Sequence, residues 1–103
     1  MASIEYHNIF EAIDDNPELA EEWQTRADLM IVIRDIIKDK GWKQTEAAEQ
    51  LGLTQPRVSN LINGKIEKFS IDLLMTCLFR LGYRFKPAYK NKRLSIKVSH
   101  AQF

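Results

Sequence analysis

Apolar and polar positions change their period once along this chain, and the change divides it. From Tyr6 to Leu81 the apolar residues recur at intervals of three and four, the spacing of one helix face. Beyond Gly82 they alternate singly. Tyr83, Phe85, Pro87 and Tyr89 interleave with Arg84, Lys86, Ala88 and Lys90, and Leu94, Ile96 and Val98 interleave with Arg93, Ser95, Lys97 and Ser99. Period two predicts strands, with a turn at Lys90-Asn91-Lys92 because asparagine tolerates a left-handed backbone. Pro87 marks an edge or irregular strand. A hairpin alone is marginal in water, so this one requires the helices or a strand from a second copy.

The helical part has four predicted pieces after a short opening segment. In that segment Tyr6, Ile9, Phe10 and Ile13 share a face too short to be stable alone, so it docks on its own domain or on a partner. Asn16 and Pro17 then suit a helix start, with Leu19 and Trp23 as buried candidates. Residues 26–40 are apolar over a wide arc. Ala27, Met30, Ile31 and Ile37 are expected on one side, Leu29, Ile33 and Ile36 towards the other, so the helix is either the central core element or meets another chain. The pattern leaves open whether residues 17–40 are one bent helix or two. Gly41 ends it, and Trp42 packs over the join. At the far end Ser70 caps a helix whose core face is Leu73, Leu74, Cys77, Leu78 and Leu81, stopped by Gly82.

Between them, residues 44–64 read as two short helices joined by a tight turn. Ala47, Ala48 and Leu51 form the inner face of the first, and the small Ala48 permits a close crossing. Gly52 supplies the left-handed turn residue and Leu53 plugs the corner. Thr54 caps the second helix, Pro56 fits its first turn, and Val58, Leu61 and Ile62 point inward. At about 100° per residue, the remaining outer face of that helix is polar and free of acids. Gln55, Arg57 and Asn60 are the side chains placed to bond base edges in a DNA major groove. Amides match adenine and guanidinium matches guanine, with Pro56 and Ser59 adding shape and methyl contacts. Gln44, Thr54, Asn63 and Lys65, at helix starts or just beyond a helix end, are expected to face phosphates, where free amide donors and cations gather. Lys43 and Lys68 are weaker candidates for the same task.

Composition changes the picture in three places. At 103 residues, 45% hydrophobic and 28% charged, the chain is expected to fold as a single domain: a docking segment 1–16, a helical domain 17–82 and a β extension 83–103. The net charge of +1 conceals a division: residues 1–33 hold eight acids and one base, residues 34–103 fourteen bases and six acids. The basic part is therefore localised, as a nucleic-acid partner requires. Seven bases and no acid lie from Arg80 to Lys97, either a solvated face or an added contact to the DNA backbone. Cys77 is the single cysteine and excludes an intramolecular disulfide. With an acidic start that lacks a signal-like pattern, and no apolar run near the roughly 20 residues of a membrane span, the expectation is a cytoplasmic protein, nucleoid-associated when bound to DNA.

Residues 44–64 closely, and 26–82 in outline, resemble the helix-turn-helix of the Xre/Cro family, which includes phage repressors. Lys43 departs from the Ser or Thr usual at that cap. The resemblance implies a mainly α, lambda-repressor-like bundle of about five helices, with the strands appended at the C-terminus. Over residues 8–89 the order NIFEAI, acidic helix, RADLM, motif and KFSIDLLMTCLFRLGY is similar to HigA-type antitoxins. That similarity implies a homodimer that represses its own operon and neutralises a small, basic, RelE-like mRNA-cleaving toxin. Tyr6, Ile9, Phe10 and Ile13 are the candidate toxin contacts. A stand-alone regulator of the same class shares the outline, as does a toxin-binding protein with weak DNA binding.

No catalytic constellation is legible. His7 and His100 are isolated and far from Cys77, each glycine follows a helix-like segment rather than building a phosphate loop, and the clustered acids at 14–22 suit a solvated face or a basic partner. The expectation is a DNA-binding protein with no enzymatic activity, metal or cofactor.

Overall fold

The computed structural model of the protein describes residues 16–101. The opening segment with Tyr6, Ile9, Phe10 and Ile13 lies outside the described residues. The first helix, α1, runs unbroken from Pro17 to Lys40, which answers the one-or-two question: no proline or glycine interrupts Glu18–Lys40. Asn16 Oδ1 accepts the Leu19 N–H at 3.1 Å, and Gly41 closes the helix at φ 67°. Next come α2 (Gln44–Leu51), α3 (Gln55–Ile62), a single 3-10 turn (Ile66–Lys68) and α4 (Ile71–Arg80). Ser70 Oγ caps α4 by accepting the Leu73 N–H at 3.1 Å. Strands β1 (Tyr83–Lys90) and β2 (Arg93–His100) form an antiparallel hairpin.

The core lies where α1 runs along α4, with the helix-turn-helix pair closing one side. Met30 and Ile33 of α1, Leu51 of α2, Val58 and Leu61 of α3, and Leu74 of α4 have no exposed surface. The apolar arc of α1 differs from the expected one. Ala27, Met30, Ile33 and Ile37 are buried, whereas Ile31 is 42% exposed. At 100° per residue Ile31 stands roughly 100° round from the middle of that buried arc, so it belongs to the solvent side with Val32. The short connection after α3 is part of the core. Ile66 and Phe69 are buried there, and Phe69 is the largest fully buried side chain among the described residues.

The hairpin register pairs Tyr83 with His100, Phe85 with Val98, Pro87 with Ile96 and Tyr89 with Leu94. Because successive residues face opposite sides of a sheet, these pairs make one apolar face. Arg84–Ser99, Lys86–Lys97, Ala88–Ser95 and Lys90–Arg93 make the other. The two-residue turn has Asn91 at φ 53° and Lys92 at φ 62°, both left-handed as a tight hairpin with native twist demands. Only the base of the hairpin docks on the helices. Phe85 meets Phe79 of α4 edge-to-face with ring centroids 6.1 Å apart. His100, isolated in the sequence, stacks on Tyr83 at 4.3 Å, and its Nε2–H donates to the Leu81 carbonyl at 2.8 Å.

Removing the Phe69 ring should leave a cavity in the core beside the 3-10 turn. Phe69→Ala is expected to cost about 3–5 kcal/mol, read from urea unfolding; a loss under about 1 kcal/mol would show that this loop is not part of the core.

Candidate nucleic-acid interface

The interface rests on how rigidly α3 is held. At the start of α2, the Glu46 carboxylate accepts the Lys43 backbone N–H at 3.2 Å. Lys43 has no side-chain acceptor to return the bond, so only half of a capping box forms. At the end of α2, Gly52 adopts φ 69°, and the Leu53 N–H reaches back to the Ala48 carbonyl at 2.9 Å. A second element holds the same corner. Arg80, the last residue of α4, donates from Nη1 to the Leu51 carbonyl at 2.9 Å and to the Gly52 carbonyl at 3.2 Å. The guanidinium thus caps the orphan carbonyls at the negative end of α2 and ties the turn to α4. It also occupies the space a side chain at Gly52 would need: a Cβ there would come within 2.7 Å of Arg80 Cζ.

From this corner α3 begins at Thr54, whose Oγ1 accepts the Arg57 N–H at 3.4 Å. Val58 and Leu61 anchor the inner side with no exposed surface, and Ile62 packs partly against them. Gln55, Pro56 and Arg57 are exposed, while Ser59 and Asn60 are half-buried on the same helix. The Arg57 guanidinium stands 5.9 Å from the Phe69 ring centroid, a distance at which cation–π attraction still restrains it. Asn63 Nδ2 donates to Ser59 Oγ at 3.4 Å, so these two candidates, assigned to different tasks on the sequence, touch each other. The helix closes when the Lys65 N–H returns to the Asn60 carbonyl at 2.9 Å, with Gly64 at φ 70°. Lys65 and Lys68 then lie exposed just past this end.

At the other end of the surface, Lys43 and Gln44 are exposed at the start of α2, and Thr54 is exposed at the start of α3. The fold therefore brings the polar residues of α3 onto one helix, with the two amide-rich helix starts and the lysine loop as its margins. Among the described residues no salt bridge engages Lys43, Arg57, Lys65 or Lys68, the single ion pair being Arg26–Glu22 on α1. The buried Cys77 lies behind this surface. Burial raises its thiol pKa, opposed by the positive charges of Arg80 and Arg57, so the thiol stays protonated at neutral pH and is a core residue rather than a nucleophile.

A family model described as a helix-turn-helix domain matches residues 12–86. The chain belongs to this helix-turn-helix domain family. It is a family of DNA-binding regulators rather than enzymes. A solved structure named for the XRE family of transcriptional regulators is similar over 59% of this chain and 68% of that chain, with 43% identity and a TM-score of 0.57. No curated protein matches. Among the described residues, no helix of this helix-turn-helix protein is long and apolar enough to cross a membrane.

Arg80 is the residue whose role is hidden in the sequence. It reads as the first of a run of bases, or as a cation complementing its own helix dipole; its carbonyl partners are 28 and 29 residues away. Arg80 and Gly52 should be energetically coupled. Arg80→Ala alone is expected to cost about 1 kcal/mol. Gly52→Ala should cost about 1–2 kcal/mol for the left-handed backbone, plus the collision with the guanidinium. In an Arg80→Ala background the Gly52→Ala penalty should shrink towards the backbone value, and strictly additive losses in unfolding experiments would remove the coupling.

Proposed function

We propose that this DNA-binding transcriptional regulator is a repressor that reads its operator through the outer face of α3. The observation that carries the proposal is the acid-free polar surface of α3 on a doubly anchored helix. Gln55, Arg57 and Asn60 carry base readout, with Pro56 and Ser59 shaping the contact. Gln44, Thr54, Asn63 and Lys65, with Lys43 and Lys68 as weaker contributors, hold the phosphates on either side. One recognition helix covers only a few base pairs, so the protein acts as a two-fold dimer on half-sites one helical turn apart, roughly 34 Å. In this reading residues 17–82 bind DNA and residues 83–103 serve dimerisation, and the protein works in the cytoplasm at the nucleoid.

A finer role as the antitoxin of a toxin–antitoxin operon is supported by the resemblance over residues 8–89 and by the acidic, partly apolar first part of the chain. Such a segment suits a small basic RNA-binding toxin, with Tyr6, Ile9, Phe10 and Ile13 as its anchors. Deleting residues 1–14 should then abolish capture of a toxin encoded beside the gene while operator binding persists. Lost stability with unchanged toxin capture would assign the segment to the protein's own core.

Base readout and backbone attachment should fail differently. Arg57→Ala or Gln55→Ala should cost on the order of 1–3 kcal/mol on the operator and relax preference at one or two base pairs, with little change on random DNA. Lys65→Ala should weaken operator and random DNA alike and reduce the salt slope by about one ion per subunit. If Gln55, Arg57 and Asn60 can all become alanine with operator preference intact, α3 is not the reading element.

A further inference from the structure

The polar face of the hairpin carries phosphate-binding groups and nothing that opposes them. Arg84, Lys86, Lys90, Arg93 and Lys97 stand on it, with Ser95, Ser99 and the small Ala88 between them. Arginine, lysine and serine are among the side chains that contact phosphate oxygens of nucleic acids. Every cation of the face is exposed. No acid occurs anywhere from Tyr83 to Ala101, and no salt bridge among the described residues engages the hairpin.

The strand register makes this arrangement costly. Lys86 sits directly across from Lys97, and Lys90 directly across from Arg93. Side chains so paired are about 5 Å apart, where like charges destabilise a sheet. A face that only had to be solvated would be served equally well by mixed signs, which would turn both repulsions into attractions. Two like-charge pairs on one face, with no counter-charge on the hairpin, fit a surface whose counter-charge arrives with a polyanion.

We propose that this face is a second DNA contact, which grips the phosphate backbone of the duplex without reading bases. The chain belongs to a DNA-binding family, so duplex DNA is the polyanion the protein already meets. Strands of eight residues run about 24 Å. Each strand of B-DNA carries a phosphate about every 3.4 Å of axis, so the ribbon is long enough to lie along several. The hairpin also leaves the helices beside the helix-turn-helix corner. Strand β1 begins three residues after Arg80, whose guanidinium is 3.2 Å from the Gly52 carbonyl, and α3 begins three residues beyond Gly52. The apolar side chains point to the opposite side of the sheet, so the contact leaves them free for dimerisation. The inference needs neither the dimer nor base readout by α3; it rests on DNA binding alone.

Two measurements on the full chain test it. In the first, Lys86→Thr with Lys97→Thr replaces one like-charge pair by a pair that suits a sheet. Binding to a random-sequence duplex should weaken ~10-fold at low salt, and the salt slope should fall by about two ions per chain. The ratio of operator to random affinity should stay the same, because phosphate contacts carry no sequence information. Amide exchange in the hairpin should be no faster than before, which separates lost contact from lost folding. In the second, a photo-crosslinker attached at Ser95→Cys, on the polar face, should capture duplex DNA. The same reagent at Ile96→Cys should not, because neighbouring strand residues point to opposite faces. Cys77 is buried and stays unlabelled. An unchanged salt slope, or crosslinking that does not differ between the two positions, would overturn the proposal. A fall in the operator-to-random ratio would overturn it by showing base readout, and a slope lost only on duplex RNA would give the face to RNA instead. The reading assigned to α3 is tested separately, by substitutions on α3 itself.

Discussion

The left-handed turn at Gly52, held by the Arg80 guanidinium on the Leu51 and Gly52 carbonyls, is the constraint on which the rest of the structure depends. A helix of eight residues such as α3 has little stability of its own. Its direction is set by the corner at which it starts and by the two side chains, Val58 and Leu61, that it buries. The corner is in turn fixed from both sides, by the Ala48 carbonyl within the motif and by Arg80 from outside it. A recognition surface must be preorganised within fractions of an ångström to discriminate bases. Here the backbone carries that rigidity, so the outward side chains of α3 are free to be chosen for the DNA.

The same logic explains why the loop after α3 is not expendable. Ile66 and Phe69 pin it into the core, which carries Lys65 and Lys68 on a fixed support at the margin of α3. Phe69 has a second neighbour in Arg57, whose guanidinium is near its ring. One buried aromatic therefore links the core of the domain to the posture of Arg57, the side chain proposed to read bases. The hairpin stands apart from this machinery. It is joined to the helices through Tyr83, Phe85 and His100, and its far half extends away with an apolar face open on one side and cations on the other.

Much of this was legible from residue spacing. The caps at Asn16, Thr54 and Ser70, the Gly52 turn and the inward Val58 and Leu61 follow from local rules that act over four residues or fewer. The alternation after Gly82 likewise announced the two strands. What escaped the sequence was non-local or depended on phase. Residue spacing groups Ile31 with the buried side, although it is exposed, because a wide apolar arc does not define its own centre. The burial of Phe69 leaves no pattern in the sequence, because a three-residue 3-10 turn is too short to show a period. Arg80 looked like part of a basic run, since nothing near it in sequence identifies carbonyls 28 and 29 residues away. The turn residue Lys92, left-handed without the usual glycine or asparagine, gave no local signal.

Central here is the proposed reading of sequence by α3, as opposed to mere adhesion of a basic surface to DNA. It is tested most directly by selecting binding sites from a random duplex pool with the intact protein at several salt concentrations. Direct readout predicts enrichment of one two-fold symmetric site, with half-sites about one helical turn apart and a preference that persists as rising salt lowers overall affinity. A pool that stays random at every salt concentration, while binding weakens with salt, would contradict it.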